Sequence, residues 1–225
     1  MACIDQDGAS PLATIVQIGS AGTVSVDQSG GVDQSAYVRQ GGSAGTVTVT
    51  QRQVDGFVSN APPLMQGLTA FTSLLAGALN FGDVGTHSAV VLQSSGSSNQ
   101  ASVLQDTGNN ASYAEIGQLG SSNQADLTQG YLAQAALDPN FASIVQQGNG
   151  NAALLAQTGS GLNGSISQAG DSYSASLSQT GSNLPDLAIA QSGGTTYVTV
   201  GGSSMSIPGY AVTVTQTSGG ASSSP

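Results

Sequence analysis

His87 is the only histidine in this 225-residue chain and Cys3 the only cysteine. A nucleophilic triad needs a hydroxyl or thiol beside an imidazole that a carboxylate orients. No Ser and Asp fall around His87 in such a pattern, and a place inside a repeat suits it better than catalysis. Cys3 alone can build neither an intrachain disulfide framework nor a cysteine-based metal site. Asp27, Asp33, Asp106, Glu115, Asp126, Asp171 and Asp186 are scattered over turns and outward positions and read as solvated carboxylates. A calcium-binding repeat would place Asp regularly in its turns, where this chain has Gly, Ser and Asn. No EF-hand, P-loop or dinucleotide fingerprint stands in its proper context. The expectation is a protein with no enzymatic activity, no cofactor, no metal and no small-molecule substrate.

The side chain with a regular spacing is glutamine, whose amide both donates and accepts hydrogen bonds. Gln17, Gln28, Gln40, Gln51, Gln93, Gln105, Gln118, Gln129, Gln146, Gln157, Gln168, Gln179, Gln191 and Gln216 each close a cassette, in runs spaced 11 to 13 residues apart. Two residues before every one of these 14 anchors stands Ile, Val or Leu, and four before stands Ala, Val, Leu or, once, Gly164. Interleaved positions are mostly polar, as in Thr46, Thr48 and Thr50. That period of two puts the small residue, the aliphatic residue and the glutamine on one inward face of a strand. Gly follows nine anchors two residues later, where the chain must turn.

Short strands with an invariant inward pattern bury that face only by stacking on one another. The fold expected is all-β: a two-sheet, cross-β-like solenoid of about seven strand-turn-strand coils, with both end coils open. At the layer spacing of about 4.8 Å, stacked amides bond to one another along the axis. Composition agrees. Only 6% of residues are charged and 4% aromatic, so neither charge repulsion nor a large aromatic core shapes the chain. The net charge of −10, with Arg39 and Arg52 as the only basic side chains besides His87, repels phosphate backbones, which excludes nucleic acid as a partner.

These cassettes resemble the curlins, the subunits of bacterial curli fibres, whose repeat runs Q-x-G-x-x-N-x-A-x-x-x-Q. QLGSSNQADLTQ (Gln118, Gly120, Asn123, Ala125, Gln129) and QQGNGNAALLAQ (Gln146, Gly148, Asn151, Ala153, Gln157) match at every fixed position. QAGDSYSASLSQ has Tyr173 in the Asn place, QIGSAGTVSVDQ and QGGSAGTVTVTQ have Gly22 and Gly45 there, and QSSGSSNQASVLQ keeps Asn99 and Ala101 with one residue inserted. The resemblance implies an extracellular, self-polymerising functional amyloid of the biofilm matrix. Its inward ladder would consist of the 14 glutamines with Asn99, Asn123 and Asn151. Its partners would be further copies of itself, a nucleator and an outer-membrane secretion channel.

The chain divides into a tail at 1–11, repeat blocks at 12–56 and 86–217, an apolar insertion at 57–85 and a flexible tail at 218–225. Leu64, Leu68, Phe71, Leu75 and Leu79 give the first insertion a helical stripe, too short to span a bilayer. A second insertion, 130–141, reads as a short helical turn ended by Asp138-Pro139-Asn140. The first residues show no basic and apolar signal regions, consistent with a mature secreted form. Two other readings stay open: a non-polymerising solenoid adhesin or stalk, and an ice-binding solenoid using outward threonines such as Thr195, Thr196 and Thr199.

Overall fold

A computed structural model describes residues 1–9, 11–32, 34–52, 87–106, 112–130, 138–217 and 220–224. All elements among them are strands. In chain order these are β1 (Ala2–Ala9), β2 (Leu12–Ser20), β3 (Thr23–Val32), β4 (Gln34–Ser43), β5 (Thr46–Arg52), β6 (His87–Ser95), β7 (Gln100–Asp106), β8 (Ser112–Leu119) and β9 (Gln124–Gly130). There follow β10 (Asn140–Gln147), β11 (Ala152–Ser160), β12 (Asn163–Ala169), β13 (Ser174–Ser182), β14 (Leu187–Ser192), β15 (Thr195–Val200), β16 (Ser203–Pro208), β17 (Ala211–Thr217) and β18 (Gly220–Ser224).

From β1 to β14, successive strands alternate between two nine-stranded sheets. Sheet A runs β1-β3-β5-β7-β9-β11-β13-β17-β18, and sheet B runs β2-β4-β6-β8-β10-β12-β14-β15-β16. Strands two apart in sequence pair in parallel and in register, so Val49 lies beside Val103, Leu127 beside Leu155, and Ile116 beside Ile144. This is the two-sheet solenoid that the cassette implied. Six regular coils run from β2–β3 to β12–β13, and β14 with β17 completes a seventh. Between the sheets lies one continuous core of the Ala, Val, Ile and Leu side chains at the inward positions.

The two repeat blocks form one stack. Across the long insertion Thr46 pairs with Gln100, and Gln34 with His87. The helical stripe at 57–85 and the helical turn at 131–137 lie outside the described residues. Asn140 and Phe141, read as the end of the second insertion, open β10, and the buried amide of Asn140 shapes its corner.

Three features differ from the expectation. Ala2–Ala9, read as tail, extends sheet A by pairing with β3. Gly220–Ser224 pairs antiparallel with β17. The stretch read as an outward Thr run is an antiparallel excursion, β14-β15-β16, so the C-terminal end is not an open parallel coil. The reversal of direction turns Thr196 inward, where it is 1% exposed, while Thr195 and Thr199 stay on the outer side.

The turns are built for stacking. Gly42, Gly96, Gly120 and Gly148 all have positive φ, and a Cβ on any of them would strike the carbonyl of the glycine one layer along. Glycine is therefore required both by conformation and by layer spacing.

Candidate functional site

Each inward glutamine lies at the end of its strand, one layer from the next glutamine of the same sheet. In sheet A, Gln6 Nε2 donates to Gln28 Oε1 at 2.6 Å, and the relay continues through Gln51, Gln105, Gln129, Gln157 and Gln179 to Gln216 at 2.7–3.0 Å. In sheet B the relay runs Gln17, Gln40, Gln93, Gln118, Gln146, Gln168, Gln191 at 2.8–3.0 Å. Every interior rung is essentially excluded from water.

The second amide proton crosses the core. Gln146 Nε2 donates to the Gln124 carbonyl and Gln118 Nε2 to the Gln100 carbonyl, each at 2.8 Å, and Gln157 Nε2 reaches the Phe141 carbonyl at 2.9 Å. Each bond ties the end of one strand to the start of the strand before it, in the opposite sheet. The ladders thus join coils along the axis and sheets across it. The crossing bond also fixes direction, since a flipped amide would set Oε1 against a carbonyl oxygen. All rungs therefore donate toward the C-terminal end.

Asn99, Asn123 and Asn151 stack in the corner leading into sheet A. Asn123 Nδ2 donates to the Gly148 carbonyl at 2.8 Å, and Asn123 Oδ1 accepts from the Asn151 backbone N–H at 3.1 Å. Asn99 makes the same pair of bonds one layer earlier, and Asn151 one layer later. Tyr173 ends this column. Its hydroxyl accepts from the Gly194 N–H at 2.8 Å, and its ring stacks on Tyr210 with centroids 5.2 Å apart.

The opposite corner holds a mixed column of Gln34, His87, Ser112 and Asn140, paired in that order and all buried. His87 therefore sits in a repeat corner. Asn140 there copies the other corner, donating to the Gly159 carbonyl at 2.8 Å and accepting from the Leu162 N–H at 3.0 Å.

Two rungs escape the cassette count. Gln6 belongs to sheet A's ladder, and its signal was Ala2 and Ile4 at the positions four and two before it. Thr196 Oγ1 accepts from Gln191 Nε2 at 3.0 Å and donates to the Gly209 carbonyl at 3.2 Å; its place on a reversed strand hid it.

Among the described residues no group of three or more His, Cys, Asp and Glu could hold a metal ion. Asp171, read as solvated, accepts from the Asn149 backbone N–H at 2.7 Å and so ends an outer corner ladder that runs through Ser97 and Ser121. Glu115 lies on the outer side of sheet B yet is 9% exposed. Burial pushes its carboxyl up to about 7, and a hydrogen bond to Ser143 opposes that only in part.

A sequence family described as the curlin associated repeat matches residues 138–181, the stretch from β10 into β13 that holds two rungs of each ladder. Residues 138–181 thus carry a curlin repeat. No curated protein and no solved structure matches it. Curlin repeats form a structural family, and here the recurring chemistry of stacking lies in amides that bind other amides. The same in-register pairing extends on either side of the matched residues, from β1 to β14 and β17.

Proposed function

We propose that this curlin-repeat protein is a structural subunit of an extracellular, self-assembling amyloid fibre, adding copies coil on coil to build biofilm matrix and support adhesion. The observation that carries this reading is the pair of directional glutamine ladders. At the N-terminal edge they end on Gln6 and Gln17, whose Oε1 atoms accept from no donor among the described residues. Strand edges of this kind are normally blunted by Lys, Pro or bulges; the chain contains no Lys, and the register shift of β1 falls only at its end, between Asp7 and Ala9. A nucleator and an outer-membrane secretion channel belong to the same reading as partners.

The test is electron microscopy and fibre diffraction of the purified protein. Unbranched fibres with reflections near 4.7 Å and about 10 Å are expected. A protein that stays monomeric at high concentration, even when seeded, would instead support a solenoid adhesin or stalk. That second reading draws on one observation, the antiparallel strands β15, β16 and β18 that finish the C-terminal end. An ice-binding surface finds less support, because the outward row Thr48, Ser102, Asp126, Leu154 and Ser176 is not a threonine ladder.

A further inference from the structure

The antiparallel strands at the C-terminal end look like a cap, but their arrangement fits the opposite end of the same molecule. Each sheet holds nine strands. The two extra strands of sheet B, β15 and β16, are balanced in sheet A by β1 and β18. One axial translation of nine layers therefore brings β1 of a second copy beside β18 and its β2 beside β16, with neither sheet left short.

In sheet A, β1 of the next copy would meet β18 antiparallel, since β18 alone reverses that sheet's direction, and in sheet B the direction is continuous. Two antiparallel pairings in succession, β14 to β15 and β15 to β16, return β16 to the direction of β14, so β2 of the next copy continues sheet B in parallel. The inward columns also continue. Ile189, Val198 and Met205 lie side by side, as do Gln191, Thr196 and Ile207. The next layer would supply Ile15 to the first column and Gln17 to the second. Ile15 and Ile207 are half-covered members of the apolar core at its two ends, and Met205 is 52% exposed.

We propose that a second copy of this chain seats its β1 and β2 edges on the β18 and β16 edges of the first, through an apolar joint centred on Met205, Ile207 and Ile15. This rests on the fibre reading above and specifies its subunit contact. The joint differs from every coil-to-coil contact within the chain because the amide relay stops there. Thr196 diverts the relay to a backbone carbonyl, and Ile207 has no amide to offer Gln17. Leaving a buried acceptor unpaired is costly, so the joint is the weakest layer of the fibre and is held by apolar contact instead.

Imaging of the fibres at high resolution tests the geometry: the expected rise per subunit is about 43 Å, nine layers of about 4.8 Å. Met205→Lys places a charge in the joint and should slow elongation at least about tenfold, while the monomer keeps the wild-type circular dichroism spectrum. Tyr197→Lys, on the outer side of β15, should leave elongation within about twofold, since charges at exposed sites cost little. Ile207→Gln restores a rung opposite Gln17 and should slow subunit loss from fibre ends; this readout and the rise decide the matter if the Met205 variant does not fold. Fibres with another rise, or a folded Met205→Lys protein that elongates like wild type, would overturn the joint and leave the fibre reading standing. Absence of fibres from the wild-type protein would overturn both.

Discussion

A primary amide offers two donors and an acceptor oxygen, and in the rungs from Gln51 to Gln191 all three are used: one proton along the axis, one across the core, and the oxygen toward the preceding layer. Glutamate could not substitute, because it lacks the donors, and leucine would leave the neighbouring rungs unpaired at about 1–3 kcal/mol each. Glu115 shows the contrary case, a carboxyl on the outer side that is nonetheless buried, beside Val90 on β6 and Ser143 on β10. Neither neighbour is charged, and Oε1 of Glu115 has no hydrogen-bond partner. Its carboxyl is raised from 4.5 to about 7, so the folded chain holds the proton more tightly than the unfolded one. Its contribution to stability is then greatest below pH of about 4.5, falls as pH rises toward 7, and is level above that. The full difference is about 3 kcal/mol. Urea unfolding at pH 4 and pH 8 should show wild type losing stability relative to Glu115→Gln across that interval. Parallel pH curves for the two proteins would remove Glu115 as the source.

At the level of strands and corners, the period of two was enough to assign the inward face, because small, aliphatic and amide side chains recur in that order at 14 anchors. What the period could not reveal were strands whose pattern is the same but whose direction is not. In β15 and β16 the inward residues Thr196, Val198, Ser203, Met205 and Ile207 contain no glutamine on which to align. Gln6 escapes the repeat for another reason: its strand lies on the outer edge of the stack, where its polar flanks resemble a tail. Parity places Glu115 on the outer side but says nothing of whether that side is covered, and here it is. The corners were legible where Asn recurs and obscure where Gln34, His87, Ser112 and Asn140 share one column. The Asn corner also gives a test of how coils are coupled. Asn123→Ala removes the donor to the Gly148 carbonyl and the acceptor for the Asn151 N–H, with an expected loss of about 2–4 kcal/mol. Asn123→Asp keeps the acceptor and should lose less if the carboxylate is protonated. Chemical denaturation of the two variants at pH 4 should rank them in that order, and equal loss would place the coupling elsewhere.

The whole molecule is close to one-dimensional, since each coil touches only the coils on either side, and the stability of such stacks is a sum of layer and interface terms. An interior layer has two partners and a terminal layer one. Protection against hydrogen exchange should therefore peak in the layers of β8 to β13 and fall toward both ends. The interior amides there are bonded on both sides, and residues such as Ile116, Leu127, Ile144 and Leu155 are at most 1% exposed. Toward the N-terminal end, Ile4 is 46% exposed in β1, and β16 at the other end is exposed along most of its length. The long insertion between β5 and β6 should produce no second minimum, because Gln40 donates to Gln93 at 3.0 Å and Gln51 to Gln105 at 2.7 Å across it. Exchange of the monomer followed by mass spectrometry should accordingly give a single broad maximum, with β4 to β7 intermediate and β1 and β16 fastest. Two maxima separated at β5 and β6 would show that the repeat blocks open independently. That outcome would demand a weaker contact across the insertion than the unbroken ladders indicate.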